Sequence, residues 1–103
     1  MPRLFAVTRT RGTAWNTSFG LEQQDDWRGH ADFMNALHRD CFVLLGGPLE
    51  GTPDVLLIVC AGDESEIHAR FSSDSWTSKD LLRIKQIVPW TLRLGSLGNQ
   101  GIA

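Results

Sequence analysis

The residue of this chain best suited to chemistry near neutral pH is a histidine in the stretch DDWRGHADFM, residues 25–34. An unperturbed imidazole changes its charge at about pH 6.5, so it can both take up and release a proton. The spacing from Trp27 through His30 to Met34 puts the three side chains on one stripe of a helix. Two interpretations are open: His30 is a packed core residue, or it is held in place to transfer protons.

A carboxylate partner would favour the second interpretation, and the stretch SSDSW, residues 72–76, offers Asp74. A carboxylate that holds one ring nitrogen fixes the tautomer and raises the basicity of the other nitrogen. Phe71 and Trp76 flank the aspartate in the sequence and could partly shield it from water. The alternative is an ordinary aspartate in a turn or at the start of a helix.

Aromatic and cationic side chains could complete a binding site around this pair. Trp15, Trp76 and Trp90 are candidates to line an apolar cavity, although packing is the ordinary role of a tryptophan in a small core. Arg9 or Arg11 could hold a substrate carboxylate through a charge-assisted hydrogen bond.

The sequence lacks the motifs of several other kinds of site. No GxGxxG, P-loop or HExxH motif is present. His38 and Cys41 have H-x-x-C spacing, but a metal site needs further ligands, so neither a metal nor a cofactor is predicted. His38 and His68 are interpreted as surface or edge residues.

The composition indicates one domain with a modest core. The 103 residues include 10 basic and 12 acidic ones, for a net charge of -2, which predicts no nucleic-acid or anionic membrane partner. Nothing resembles a signal peptide or a membrane span, so a cytoplasmic protein is the expectation. The expected domain covers residues 3–95, and residues 96–103 form a glycine-rich tail that we expect to be flexible.

Hydrophobic periodicity and turn residues predict the order β-α-β-β-α-β. The predicted strands are 3–11, 42–45, 55–61 and 81–94, and the predicted helices are 25–40 and 62–70. We expect breaks at Gly46–Pro48 and at Pro89, the latter favouring an edge strand, and irregular segments over 12–24 and 72–80. This order is typical of an α+β, ferredoxin-like split βαβ fold with an antiparallel sheet and both helices on one face.

A sheet of this kind leaves its second face uncovered. The 55–61 strand is apolar on both sides, and alternate residues of the first strand must face away from the helices. An uncovered face would be an exposed apolar patch, which two copies packing sheet to sheet would remove. We therefore expect a homodimer.

Two long stretches resemble the YCII-related family in the order and spacing of their features. They are WRGHADFMNALHRDCFVLLGGPL, residues 27–49, and VLLIVCAGDESEIHARFSSDSWTSKDLLRIKQIVPWTLRLG, residues 55–95, and the resemblance extends over residues 3–95. It implies a ferredoxin-like unit that pairs through its sheets into a dimeric α/β barrel. It also implies a histidine–aspartate active-site pair, carried here by His30 and Asp74, with Ser75 standing where the family often has proline. Gly47 and Pro48 of the GGPL stretch join the candidates for substrate binding.

Two functions are carried forward from these observations. In the first, the protein is a small enzyme without a cofactor, in which His30 is the general acid or base and Asp74 orients it, acting on a small carbonyl, lactone or carboxylic acid. Some relatives implied by the resemblance look like enzymes acting on lactones or chlorinated acids. In the second, the same pocket binds a small ligand without catalysis, as in a sensor or an accessory subunit. A purely structural dimer with a packed His30 is a third interpretation.

Overall fold

The computed structural model describes residues 2–97. Its strands are β1 (Arg3–Arg11), β2 (Val43–Pro48), β3 (Asp54–Ala61) and β4 (Leu82–Pro89), and its helices are α1 (Trp27–Arg39), α2 (Glu64–Phe71) and α3 (Ser75–Ser78). The strands form one four-stranded sheet in the order β2-β3-β1-β4, with every neighbouring pair antiparallel. This confirms the predicted ferredoxin-like arrangement.

One face of the sheet packs against α1 and α2. Phe5 and Val7 of β1 point to this face, where they join Leu37 of α1 and Ile67 of α2 in the main core. Arg9 continues the same alternation and is also buried. Strand alternation thus brings a cation to the helix-covered side of the sheet.

The other face of the sheet carries a smaller apolar cluster. Leu4, Leu44 and Ile58 are buried in it. Leu92 and Leu97, from the segment after β4, pack against these residues. Part of the face is therefore covered by the chain's own C-terminal segment.

Helix α1 begins at Trp27, two residues later than the predicted start. Asp26 has a left-handed backbone, with φ of 53°, and its side chain accepts from the backbone N–H of Gly29. The helix ends at Arg39, and Cys41 beyond it has φ of 60° and is exposed. The apolar stripe of α1 therefore ends at Leu37, one turn before Cys41.

Strand β2 does not break at Gly46, as the sequence suggested, but continues to Pro48. A side chain at Gly46 would collide with the end of the Leu57 side chain, so the glycine leaves room for this leucine. The missing N–H of Pro48 is tolerated because β2 lies at an edge of the sheet. Pro89 likewise lies in the edge strand on the opposite side, as predicted, but β4 ends there and the predicted continuation over residues 90–94 is not a strand.

The segment 72–80, predicted to be irregular, contains the one-turn helix α3. Asp74 precedes this helix, and its side chain accepts from the backbone N–H of Trp76. Its alternative interpretation as a helix cap is thus correct without excluding another role. Of the predicted tail, residues 98–103 lie outside the described residues. No helix within residues 2–97 is long and apolar enough to cross a membrane.

Candidate active site

His30 and Asp74 are in direct contact although 44 positions separate them in the sequence. The Nδ1 atom of His30 lies 2.8 Å from Oδ2 and 3.1 Å from Oδ1 of the carboxyl group. An ionised carboxylate only accepts hydrogen bonds, so Nδ1 carries the proton and donates it. In the neutral ring, Nε2 is then the nitrogen without a proton.

Two hydrogen bonds join α3 to the start of α1 and so hold Asp74 beside His30. The Oγ of Ser75 donates to Oδ2 of Asp26 over 2.6 Å, and Nε1 of Trp76 donates to the backbone oxygen of Asp25 over 2.7 Å. Ser75 stands where the resembled family often has proline, and a proline could not make the first of these bonds.

The carboxyl group of Asp74 is almost completely enclosed, with 1% of the residue exposed. Besides His30, it accepts from Nη1 of Arg9 at 2.9 Å and from the backbone N–H of Trp76 at 3.1 Å. Burial alone raises the pKa of Asp74, but the hydrogen bond and electrostatic attraction of His30, together with the hydrogen bonds from Arg9 and the Trp76 amide, outweigh it. The pKa of Asp74 is therefore below its usual value, and the group is ionised at neutral pH.

Arg9 is bound within the protein, and its predicted role as the ligand of a substrate carboxylate stays a prediction. Its Nη1 donates to Asp74 and its Nη2 donates to Oγ1 of Thr77, each over 2.9 Å. The guanidinium also lies over the ring of Phe71, 4.9 Å from the centroid. Burial lowers the pKa of Arg9 and Asp74 opposes this effect. With 1% of the residue exposed, Arg9 offers little of its charge to a bound molecule.

Trp76 supports His30 from behind rather than lining a cavity. Its indole is completely buried and lies parallel to the imidazole, with centroids 3.9 Å apart. Trp15 meets the same indole edge to face at 5.7 Å, and Trp27 lies 5.9 Å from it. Trp76 thus contacts both members of the pair, but it is not among the residues of the cavity wall that it was predicted to line.

A cavity of about 600 Å³ lies beside the exposed side of His30. Its wall is mostly apolar and includes Trp15, Leu21, Trp27, Met34, Val55 and Leu57. The predicted residues that belong to the wall are His30, Arg9, Trp15, Gly47 and Pro48.

Trp90 lies away from this cavity. It follows the end of β4, is 37% exposed, and donates its backbone N–H to the carbonyl oxygen of Leu4. It is not part of the cavity wall in this chain, because it lies beside Leu4, at the end of β1 opposite Arg9 and Arg11.

Arg11 is the exposed cation of the cavity wall. Its guanidinium lies over the ring of Trp15, 4.5 Å from the centroid, and its side chain is solvent-accessible. Of the two arginines considered from the sequence, Arg11 is thus the one available to an anionic group.

Sequence reasoning missed Gln24, which holds the loop that carries Trp15. The side chain is buried, accepts from the backbone N–H of Asn16 at 3.0 Å, and donates to the carbonyl oxygen of the same residue at 2.8 Å. No local pattern distinguishes this glutamine from the neighbouring polar residues, because its partners are backbone groups four to eight positions away.

His38 is exposed, as predicted, and it also belongs to the cavity wall. Its Nδ1 lies 3.0 Å from the backbone oxygen of Val43 and, facing an acceptor, carries the proton. Within residues 2–97, no group of three or more histidine, cysteine, aspartate or glutamate side chains could hold a metal ion.

Comparison with solved structures shows the fold. The chain is similar to 5-chloro-2-hydroxyhydroquinone dehydrochlorinase (TftG) from Burkholderia phenoliruptrix AC1100, solved in complex with 2,5-dihydroxybenzoquinone. The TM-score is 0.61 at 20% sequence identity, covering 89% of this chain and 95% of that chain. No family model matches the chain, and no curated protein matches it. At this identity the likeness shows the ferredoxin-like fold, and membership of the YCII-related family stays a prediction.

Proposed function

We propose that this protein is a small enzyme that needs no cofactor and transfers a proton on a small carbonyl, lactone or carboxylic acid substrate. One observation carries the proposal: Nδ1 of His30 lies 2.8 Å from Oδ2 of Asp74, with the histidine at the wall of a cavity and the aspartate behind it. A buried carboxylate in this position orients the ring and stabilises the imidazolium that forms when the ring takes a proton.

In this proposal, Nε2 of His30 is the reacting atom. Its lone pair removes a proton from the substrate, Nδ1 keeps its hydrogen bond to Asp74, and the imidazolium later returns the proton. A positioned acid or base of this kind contributes about 10²–10⁴-fold to a reaction rate. The parallel indole of Trp76 limits rotation of the ring and so favours one orientation.

The cavity is large enough for a substrate of the size of one substituted ring. A volume of about 600 Å³ lies within the range of roughly 300–1,000 Å³ that is common for small-molecule sites. Trp15 and Trp27 offer flat apolar surfaces, and Arg11 offers a positive charge to a carboxylate or an ionised hydroxyl. The ligand of the structural neighbour, 2,5-dihydroxybenzoquinone, has this size and is a reasonable first probe.

The test is a search for turnover with a panel of hydroxylated quinones, chlorinated hydroxyaromatics and lactones in D₂O. Conversion and deuterium incorporation are followed by NMR for the parent protein and for His30→Gln. The proposal expects a compound that the parent converts and that His30→Gln converts at least about 100-fold more slowly. Equal turnover by a folded His30→Gln protein rules out the role of His30.

The alternative proposal is a non-catalytic protein that binds a small ligand, such as an accessory subunit. The mostly apolar wall favours it, because Trp15 and Trp27 would hold a ring compound without any proton transfer. Mass spectrometry of compounds released from the purified protein distinguishes the two. A compound recovered unchanged after incubation with the protein supports binding alone, and rapid conversion of it supports the enzyme.

We also propose that the protein is a YCII-like homodimer in which the sheet faces carrying Leu4, Leu44 and Ile58 meet. The support is the apolar character of this face and the resemblance described above. Size-exclusion chromatography with light scattering tests it: a monomer at micromolar concentration contradicts the proposal.

A further inference from the structure

A second histidine of α1 lines the same cavity as His30. His38 follows His30 by two helical turns, about 12 Å along the helix axis, and both belong to the cavity wall. Met34 also belongs to the wall and is four positions from each histidine, so it lies between them on one face of the helix. The helix therefore brings two imidazoles to one cavity, with an apolar side chain between them.

One ring nitrogen of His38 is bound within the protein and the other is not. Nδ1 donates to the backbone oxygen of Val43 over 3.0 Å, and Val43 begins β2 at an edge of the sheet. This bond needs a proton on Nδ1, which is present in the charged ring and in one tautomer of the neutral ring. Within residues 2–97, Nε2 of His38 has no hydrogen-bond partner, so it is the nitrogen that a molecule in the cavity can use.

The exposed cation of the cavity wall lies at the other end of the sheet. Val43, the partner of His38, pairs with Val59 of β3. Val59 in turn pairs with Phe5 of β1. Arg11 follows Phe5 by six residues, about 20 Å along the strand. Arg11 and His38 therefore contact different parts of a bound molecule.

We propose that His38 is a specificity-determining residue that binds a hydroxyl group on the side of the substrate ring opposite the group that meets His30. This inference rests on the proposed function and narrows its substrate class to rings with polar substituents on two opposite carbons. About 12 Å between the two histidines accommodates one such ring and a hydrogen bond of about 2.8 Å at each end.

A hydroxyl group suits Nε2 of His38 in both charge states of the ring. It donates a hydrogen bond to Nε2 of the neutral ring and accepts one from Nε2 of the charged ring. Recognition of the substituent therefore does not depend on the protonation of His38. The apolar side chain of Met34 packs against the ring of the substrate between the two polar contacts.

The test compares hydroquinone with 4-methylphenol, in which a methyl group replaces one of the two hydroxyl groups. Isothermal titration calorimetry under argon gives the affinity of each compound for the parent protein, His38→Asn and His68→Asn. The asparagine keeps an N–H for the carbonyl of Val43 but is too short to place a polar atom where Nε2 lies. We expect His38→Asn to weaken binding of hydroquinone about tenfold and of 4-methylphenol less than about twofold. The control His68→Asn, at an exposed position of α2, should change neither affinity.

A purely structural role of His38 would give a different pattern. If the ring only supported β2 through Val43, both compounds would lose affinity by the same factor in His38→Asn. Equal losses, or unchanged affinities, overturn the proposal while leaving catalysis by His30 open to its own turnover test. A parent protein that binds neither compound overturns the proposal together with the cavity's role as the binding site of such rings.

A second measurement needs no variant and covers the case in which His38→Asn does not fold. In ¹⁵N NMR spectra of the parent protein, hydroquinone should shift the Nε2 signal of His38 and 4-methylphenol should leave it almost unchanged. Equal shifts with the two compounds, or no shift with either, overturn the proposal. Since neither experiment measures turnover, the absence of catalysis would remove the enzyme and leave the binding role of His38 intact.

Discussion

The imidazole of His30 lies parallel to the indole of Trp76, with ring centroids 3.9 Å apart and an angle of 4° between the planes. The same tryptophan donates its backbone N–H to Asp74. One buried residue therefore orients both members of the candidate pair, one through its ring and the other through its backbone.

Replacing this tryptophan should cost the fold more than replacing an exposed one. Trp76→Leu removes a fully buried ring and its hydrogen bond to Asp25, so we expect the free energy of unfolding to fall by about 3 kcal/mol. Trp90→Leu, at a partly exposed position, should cost less than about 1 kcal/mol. Urea denaturation, monitored by circular dichroism, measures the unfolding free energy of both variants. Equal losses in the two variants would contradict the assignment of Trp76 as a buried residue that supports the pair.

Neutralising the buried carboxylate should be strongly destabilising. Asp74→Asn leaves Arg9 buried without its counter-charge, which costs about 3–5 kcal/mol at neutral pH. The double variant Arg9→Met with Asp74→Asn should recover part of this loss, because no unpaired charge remains. The coupling free energy between Arg9 and Asp74 follows from denaturation of four proteins: the parent, Arg9→Met, Asp74→Asn and the double variant. Purely additive losses of unfolding free energy would argue against a buried ion pair.

The stability of the protein in acid should depend on the carboxyl group of Asp74. The pKa of Asp74 is lower in the folded state than in the unfolded chain, so the ionised carboxylate stabilises the fold. This stabilisation is fully present above the unfolded pKa of about 3.9, and it is lost as the pH falls through the folded pKa. The difference in unfolding free energy between the parent and Asp74→Asn should therefore be constant near neutrality and shrink in acid. A difference that does not change with pH contradicts the ionised, stabilised carboxylate.

Binding of an anionic ring compound should depend on Arg11. We expect Arg11→Gln to weaken binding of 2,5-dihydroxybenzoquinone about tenfold, since it removes the exposed cation of the cavity wall. Quenching of tryptophan fluorescence measures the affinity, and Arg3→Gln, at the far end of β1, is the control. Equal affinities of the parent and Arg11→Gln would show that the anion lies elsewhere.

The order of elements was accessible from sequence because it depends on local signals. Alternation predicts β1 and helical spacing places His30, whereas Asp74 was one candidate among its alternatives and its pairing with His30 was implied by the resemblance. Alternation also puts Arg9 on the same side as Phe5 and Val7, which indicates burial. Its partner could not be predicted, since the contact with Asp74 depends on how α3 packs against the sheet.

The difference between local signals and contacts made by the whole fold also explains why the positions of the tryptophans could not all be predicted. Their size predicts that they pack closely, but only the fold decides which ones reach the cavity. Trp15 reaches it because Gln24 holds its loop in place, Trp76 lies behind His30, and Trp90 lies at the far end of β1, beside Leu4.

The most direct test of the central claim is chemical rescue of His30→Ala by free imidazole, using the first compound that the parent protein converts. If His30 transfers the proton, the variant should lose at least about 100-fold in rate. Imidazole should then restore turnover in proportion to its concentration, because the cavity beside the missing ring admits small molecules. The control His68→Ala, on the exposed side of α2, should keep the parental rate. A folded His30→Ala protein that turns over at the parental rate without imidazole would contradict the account.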